Sequence, residues 1–246
     1  MARPFLSVII PAWNEAERLP LTLIDVDRQL AASDYSYEVI IVNDGSDDRT
    51  SFISNRFASI MKDCKVIDSP EHRGKGAAIR IGALTAKGNW RLIMDADNSF
   101  SIAEFNRILP FLQAERGVHV AIGSRAEKET LIDPPLPFLR RAAEFLLNIL
   151  TRRVFRSRVR DFLLGFQCFS AEAADKIFSL TRLDSFSTSQ EAILLAERLG
   201  YRISEVSVIG SYARGSHFRF RGYLQWILDT IRIWWWLKRD RYHFPH

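Results

Sequence analysis

Cysteine is scarce: the 246 residues contain only Cys64 and Cys168, whose separation fits neither a metal cluster nor a disulfide framework. Buried free thiols in a reducing compartment are expected instead. No stretch reaches the ~20 uninterrupted apolar residues that a membrane-spanning helix needs. Met1 to Pro11 lacks the apolar core and small-residue cleavage site of a signal peptide. The chain is therefore expected to be cytoplasmic, either soluble or lying on a membrane without crossing it. Internal repeats and low-complexity segments are also missing. So is the Gly-x-x-x-x-Gly-Lys-Ser/Thr phosphate loop, which argues against a P-loop nucleotidase. A nucleic-acid module has little support, because no recognition motif and no basic-aromatic strand is present.

What is present is the composition of a folded protein, with 47% hydrophobic and 26% charged residues. The net charge of +5 suits an anionic partner such as a phosphate ligand or an anionic membrane surface. In the first half, short apolar runs alternate with helical patterns. Strands are predicted at 6–11, 37–42, 65–67, 90–94 and 118–122. Helices are predicted at 17–32, from about 48, at 75–86 and at 101–114. This alternation predicts an α/β fold with a mostly parallel sheet and helices on both faces. Ligands of such sheets bind beyond the carboxyl ends of the strands. Three polar clusters fall there: Asn14-Glu15, Asp44, and Asp95 with Asp97.

The second half changes character after a proline-rich break at 134–137. An apolar helix at 138–156 is flanked by arginines, a small strand-helix-strand region spans about 165–209, and an amphipathic helix spans 220–239. The expected division is a catalytic domain over 1–218 and a C-terminal amphipathic helix over 219–246.

Asp95-Ala96-Asp97 is the sharpest local signal. Two carboxylates just past a buried strand can share a hard cation, Mg²⁺ or Mn²⁺, that also binds a diphosphate. Asp44 is placed either to accept an N–H from a nucleotide base or to cap a turn. Arg73-Gly74-Lys75-Gly76 opens a helix, where backbone N–H groups and the Lys75 charge would suit an anion; a structural tight turn is the other reading.

Pro11-Ala12-Trp13-Asn14-Glu15, Val42-Asn43-Asp44-Gly45-Ser46, Arg73-Gly74-Lys75-Gly76 and Asp95-Ala96-Asp97 resemble, in order and separation, the motifs of family-two inverting glycosyltransferases. Gly123-Ser124-Arg125 and Asp161-x-x-x-Gly165-Phe166-Gln167 narrow the resemblance to the dolichyl-phosphate glucosyltransferase and dolichyl-phosphate mannose synthase branch. It covers roughly residues 5–225. The mannose synthases usually carry Gln two positions after the second aspartate. Ser99 stands there in this chain, which leans toward the glucosyl branch.

The resemblance implies a GT-A fold. It implies a nucleotide-sugar pocket lined by Pro11, Asn14, Glu15, Asp44, Lys75 and Asp95, and a divalent metal site at Asp95 and Asp97. Arg125, Arg141 and Arg214 would be phosphate ligands that act with Asp97 in catalysis. The implied donor is a UDP- or GDP-sugar, and the implied acceptor a polyprenyl phosphate reached from the cytoplasmic face of a membrane. The helices at 138–156 and 220–239, rich in Arg and Trp, would lie on that surface. A sugar-hydroxyl acceptor is the alternative, and its base would be Asp161 or Glu191.

Overall fold

The computed structural model describes residues 3–114, 117–211, 220–242 and 244. Four strands, β1 (Leu6–Ala12), β2 (Tyr37–Asn43), β3 (Cys64–Asp68) and β4 (Trp90–Ile93), lie parallel in the order β3-β2-β1-β4. The sheet continues through three more strands: β5 (Val120–Gly123), β7 (Gln167–Ser170) and β8 (Ile203–Val206). β7 is inserted between β4 and β5 and runs antiparallel to both, whereas β8 pairs parallel with β5. A separate parallel pair is formed by β6 (Leu131–Ile132) and β9 (Ile209–Gly210).

Near-continuous apolar runs such as Val8-Ile9-Ile10 arise because both faces of the sheet are covered. Side chains alternate between the faces. Val8, Ile10 and Ala12 pack with Leu19 and Leu23 of α1 (Leu19–Ala31) and Ile108 of α4 (Phe105–Gln113). Helix α2 (Thr50–Ala58) adds Ile53 and Phe57 on that side. Ile9 faces the other layer, with Ala78 of α3 (Lys75–Thr85), Ile177 of α6 (Ala171–Leu180) and Ile193 of α7 (Thr188–Arg198). The region predicted as strand-helix-strand therefore contains two helices, α6 and α7.

Two long helices flank this second layer: α5 (Phe138–Phe155) and α8 (Phe220–Lys238). They contact each other. Trp226 and Ile233 of α8 are buried in the same apolar cluster as Ile9 and Ile93. Burying a large side chain of this kind stabilises by about 2–3 kcal/mol. Polar ties fix the helix position. Gln190 Nε2 donates to Thr151 Oγ1 (3.1 Å) and Thr230 Oγ1 (3.0 Å), joining α7 to both helices, and Ser185 Oγ donates to buried Asp229 Oδ2 (2.7 Å). One face of α8 thus belongs to the core. The opposite faces of α5 and α8 leave Phe138, Leu139, Phe145, Leu228, Ile231 and Trp235 exposed.

Candidate active site

β2, β1 and β4 are neighbours in the sheet, so the segments that follow them converge at one edge. There they surround a cavity of about 620 Å³ lined by Pro11, Trp13, Glu15, Asp44, Asp95 and Asp97. Lys75 Nζ bonds Asp95 Oδ1. Arg18, one residue before α1, donates to both oxygens of Glu15 (2.7 and 2.5 Å) and lies 3.8 Å from Asp97 Oδ2. The Ser99 N–H donates to Asp97 Oδ1 at 3.0 Å, which holds that carboxylate in its turn. Burial pushes the Glu15 and Asp95 carboxyls above the usual range, with neighbouring acids adding to the effect. Burial alone would lower the Lys75 ammonium, but the Asp95 charge outweighs it and holds Lys75 up. Glu15, Asp95 and Asp97 thus face two cations in a confined space.

A divalent ion fits this donor set. Magnesium and manganese take oxygen ligands, and Mg²⁺ is commonly held by one or two carboxylates plus phosphate oxygens. Among the described residues no group of three or more His, Cys, Asp or Glu is suited to a metal, so of these the two carboxylates Asp95 and Asp97 are the candidate ligands. Room beside Asp95 depends on Gly165. A Cβ at that position would lie 2.5–2.7 Å from the Asp95 carboxylate, which would have to shift to admit it. This accounts for the glycine in the Asp161–Gln167 motif.

Several predicted site residues sit differently from expectation. Asn14, at φ 53°, does not line the cavity. Its Oδ1 accepts from the Asp47 N–H (2.9 Å) and its own N–H donates to Ser46 Oγ (3.0 Å), so it pins the turn after β2. Asp44 lines the cavity, yet its two oxygens accept from the N–H groups of Arg73 (3.1 Å) and Gly74 (2.7 Å) and contact His72 Nδ1 (2.8 Å). The start of α3 is not an open anion cradle, because the Gly76 N–H donates to Asp184 O at 2.8 Å. Gly76 is required by packing: a Cβ there would collide with Thr188 and the 183–185 backbone.

Arg125 lines the cavity with its guanidinium committed. Nε and Nη2 donate to the two oxygens of Asp161 (2.7 Å each), and Nη1 bonds Glu144. Burial would raise the Asp161 carboxyl, but Arg125 overrides it and holds Asp161 below the usual range. Arg141 is exposed and outside the cavity wall. Its neighbour Arg140 lines the wall and donates to Glu144 Oε1 at 2.8 Å. Arg214 lies outside the described residues.

Arg18, Arg140, Glu144, Phe186 and Trp226 also line the wall, and none of them was among the site residues expected from sequence. Phe186 and Trp226 stack with ring centroids 5.7 Å apart and form an aromatic side opposite in character to the acids. The two acids considered as bases for a hydroxyl acceptor do not line the cavity. Asp161 is tied to Arg125. Glu191 is buried, its carboxyl pushed up by burial, and it accepts from the N–H groups of Arg182 and Leu183 and from Tyr242 Oη.

Known proteins resemble this chain in sequence and fold. The chain is 30% identical to dolichyl-phosphate beta-glucosyltransferase ALG5A of Trichomonas vaginalis, over 98% of this chain and 78% of the relative. It is 32% identical to the dolichyl-phosphate beta-glucosyltransferase of Drosophila melanogaster, over 93% and 74% respectively. Among solved structures, the UDP complex of glucosyl-3-phosphoglycerate synthase from Mycobacterium tuberculosis superposes with a TM-score of 0.68. It is 20% identical, with 94% of this chain and 80% of that one covered, and shares the GT-A fold. Residues 7–178 match the sequence profile of glycosyl transferase family 2, and with its curated relatives this establishes the chain as a member of that family of inverting glycosyltransferases.

Proposed function

We propose that the protein transfers glucose from UDP-glucose to a polyprenyl phosphate of the dolichyl type, with inversion, while resting on a membrane surface. The observation that carries this is the two-sided cavity. Its acidic side, Glu15, Asp95 and Asp97 with Lys75 and Arg18, suits a cation-bound diphosphate. Its aromatic side, Phe186 and Trp226, is contributed in part by α8, whose outer face is exposed and apolar. The curated relatives named above are dolichyl-phosphate glucosyltransferases, which supports the sugar and the acceptor.

An oxygen of the acceptor phosphate attacks the anomeric carbon from the face opposite the leaving group. The new C1–O bond forms as the C1–O bond to UDP breaks, and UDP departs with the bonding pair. A phosphate monoester has a second pKa of about 6 and is already anionic at neutral pH, so no general base is needed. That agrees with a cavity in which neither Asp161 nor Glu191 takes part. Asp95 and Asp97 would hold Mg²⁺ or Mn²⁺, which supplies charge neutralisation at the diphosphate. The residues of the chain position and screen: Lys75 and Arg18 add positive charge beside the acids, and Arg125 with Asp161 braces the loop that carries Gly165.

No helix among the described residues is long and apolar enough to cross a membrane. The exposed Phe138, Leu139 and Phe145 of α5 and Leu228, Ile231 and Trp235 of α8 offer an interfacial surface instead. The test is parallel incubation with radiolabelled UDP-glucose and GDP-mannose, polyprenyl phosphate and Mn²⁺, followed by counting of the organic phase. Label arriving from UDP-glucose is expected. Label from GDP-mannose alone would overturn the sugar, and an unlabelled organic phase with both donors would overturn the acceptor.

A further inference from the structure

A second concavity of about 1290 Å³ lies where the C-terminal ends of α5, α7 and α8 meet β8, and it shares no lining residue with the catalytic cavity. Its floor is apolar, with Val159 and Leu194 buried and Leu237 partly buried. Its walls carry six cations, Arg156, Arg158, Arg160, Arg198, Arg202 and Lys238, against three carboxylates, Glu127, Glu197 and Glu205. Arg160 takes up two of those acids, bonding Glu127 and donating from Nε to Glu205 at 3.1 Å. Glu197 accepts from the backbone N–H of Arg158 at 3.2 Å. Among the described residues no carboxylate lies within 4.0 Å of the side chains of Arg156, Arg158 or Arg198, and all three residues are exposed. The positive charge here is left over rather than paired.

The backbone gives an independent sign. Arg156 ends α5 in the left-handed region, at φ 54°. Every other described residue with positive φ is glycine, asparagine or aspartate, the types that enter this region most easily. Glycine is the usual residue at a helix C-terminus of this shape. Arginine rather than glycine thus occupies this position, and it places a charged side chain on the wall of the groove. The groove also opens onto the exposed apolar surface described above, since Val154 of α5 and Trp234 of α8 line it and are themselves exposed.

We propose that this groove binds the phosphate headgroup of an anionic phospholipid, with Arg156, Arg158 and Arg198 around the phosphate and the lipid stem along the apolar floor. Guanidinium forks match phosphate oxygens in pairs, and a cationic rim over an apolar floor is complementary to an amphiphile with an anionic head. The assignment rests on the reading that the outer face of α5 and α8 meets a membrane, and adds to it a lipid preference and a place for that lipid outside the catalytic cavity.

The test is vesicle co-sedimentation of the full chain with phosphatidylcholine alone and with phosphatidylcholine containing phosphatidylglycerol. It compares wild type, Arg156→Gly and the triple variant Arg156→Gly/Arg158→Ala/Arg198→Ala. UDP binding and thermal midpoint are followed in parallel. Phosphatidylglycerol is expected to tighten wild-type binding, and each arginine removed to cost roughly five-fold in affinity for the anionic vesicles. Arg156→Gly releases backbone strain, so its thermal midpoint should not fall, and UDP binding should be unchanged in both variants. Equal binding to both vesicle types would leave the membrane reading standing and overturn the groove. An anionic preference that survives the triple variant would also overturn it. Absence of binding to either vesicle would overturn both. Glycerol 3-phosphate bound in the groove by a chain indifferent to vesicles would assign the site to a soluble phosphate and overturn the lipid.

Discussion

The two concavities hold their charges in opposite ways. At the strand ends, acids and bases are interlocked: Lys75 with Asp95, Arg18 with Glu15 and Asp97, Arg125 with Asp161 and Glu144. In the groove beyond β8, Arg160 alone absorbs two of the three acids and leaves Arg156, Arg158 and Arg198 unpaired. Under the proposed function the first arrangement would take a ligand that brings charge of both signs, a cation together with a diphosphate. The second awaits a plain anion. Paired charges in a confined cavity are also strongly coupled to one another, whereas exposed arginines are screened and individually weak. Substitutions at the strand ends should therefore have large effects and those in the groove small ones.

The strongest break in that contrast is Asp97→Ala. Losing one of two carboxylates at the cation position should lower transfer by about 10³-fold or more at any Mn²⁺ or Mg²⁺ concentration, measured as label in the organic phase. Near-normal turnover would remove the metal role. Asp161→Asn comes next. It leaves Arg125 with a poorer partner in a buried network and should destabilise the fold by about 3 kcal/mol at neutral pH, read by denaturant titration. Asp161 is held below its unfolded value of about 3.9, so its contribution is present above that pH and is lost as pH falls through the folded value. The gap between wild type and variant should close on acidification, and a gap independent of pH would separate Asp161 from the ion pair. Gly165→Ala sharpens the comparison without removing a charge. The added methyl would press on the Asp95 carboxylate, and Mn²⁺ affinity in the presence of UDP should fall about 10- to 100-fold while the fold persists. The smallest effect belongs to the groove, where Arg156→Gly should leave transfer to detergent-dispersed acceptor within about two-fold of wild type, as expected for a screened surface charge.

Much of the first half was readable from sequence for a physical reason. Strands buried on both faces are written as apolar runs, so Val8-Ile9-Ile10 and Val39-Ile40-Ile41 announce themselves, and the acids that follow them mark the ligand edge. Asp44, Asp95 and Asp97 do meet there. The antiparallel insertion of β7 was hidden, because strand direction is decided by distant partners, Leu92 and Ala121 on either side of Cys168. Arg141 was expected where Arg140 stands, since one residue along a helix turns the side chain by about 100° and both are arginine. The choice between an anion cradle and a structural turn at the start of α3 could not be made from sequence either. Its partner, Asp184 O, lies more than a hundred residues away in sequence, and nothing local to Gly74-Lys75-Gly76 distinguishes an occupied N–H from a free one. Arg18 was missed because its bond to Glu15, three residues away, looks like an ordinary local ion pair, and what brings it to the acids of the cavity is its tertiary approach to Asp97.

The proposed chemistry requires the Asp95–Asp97 edge to hold a cation shared with a nucleotide diphosphate. Anomalous diffraction from crystals soaked with Mn²⁺ and UDP tests it most directly. A manganese peak within coordination distance of both carboxylates and the diphosphate, lost in Asp97→Ala crystals, is the predicted result. A well-diffracting soaked crystal in which Lys75 still holds Asp95, and manganese and UDP are found elsewhere or nowhere, would contradict it.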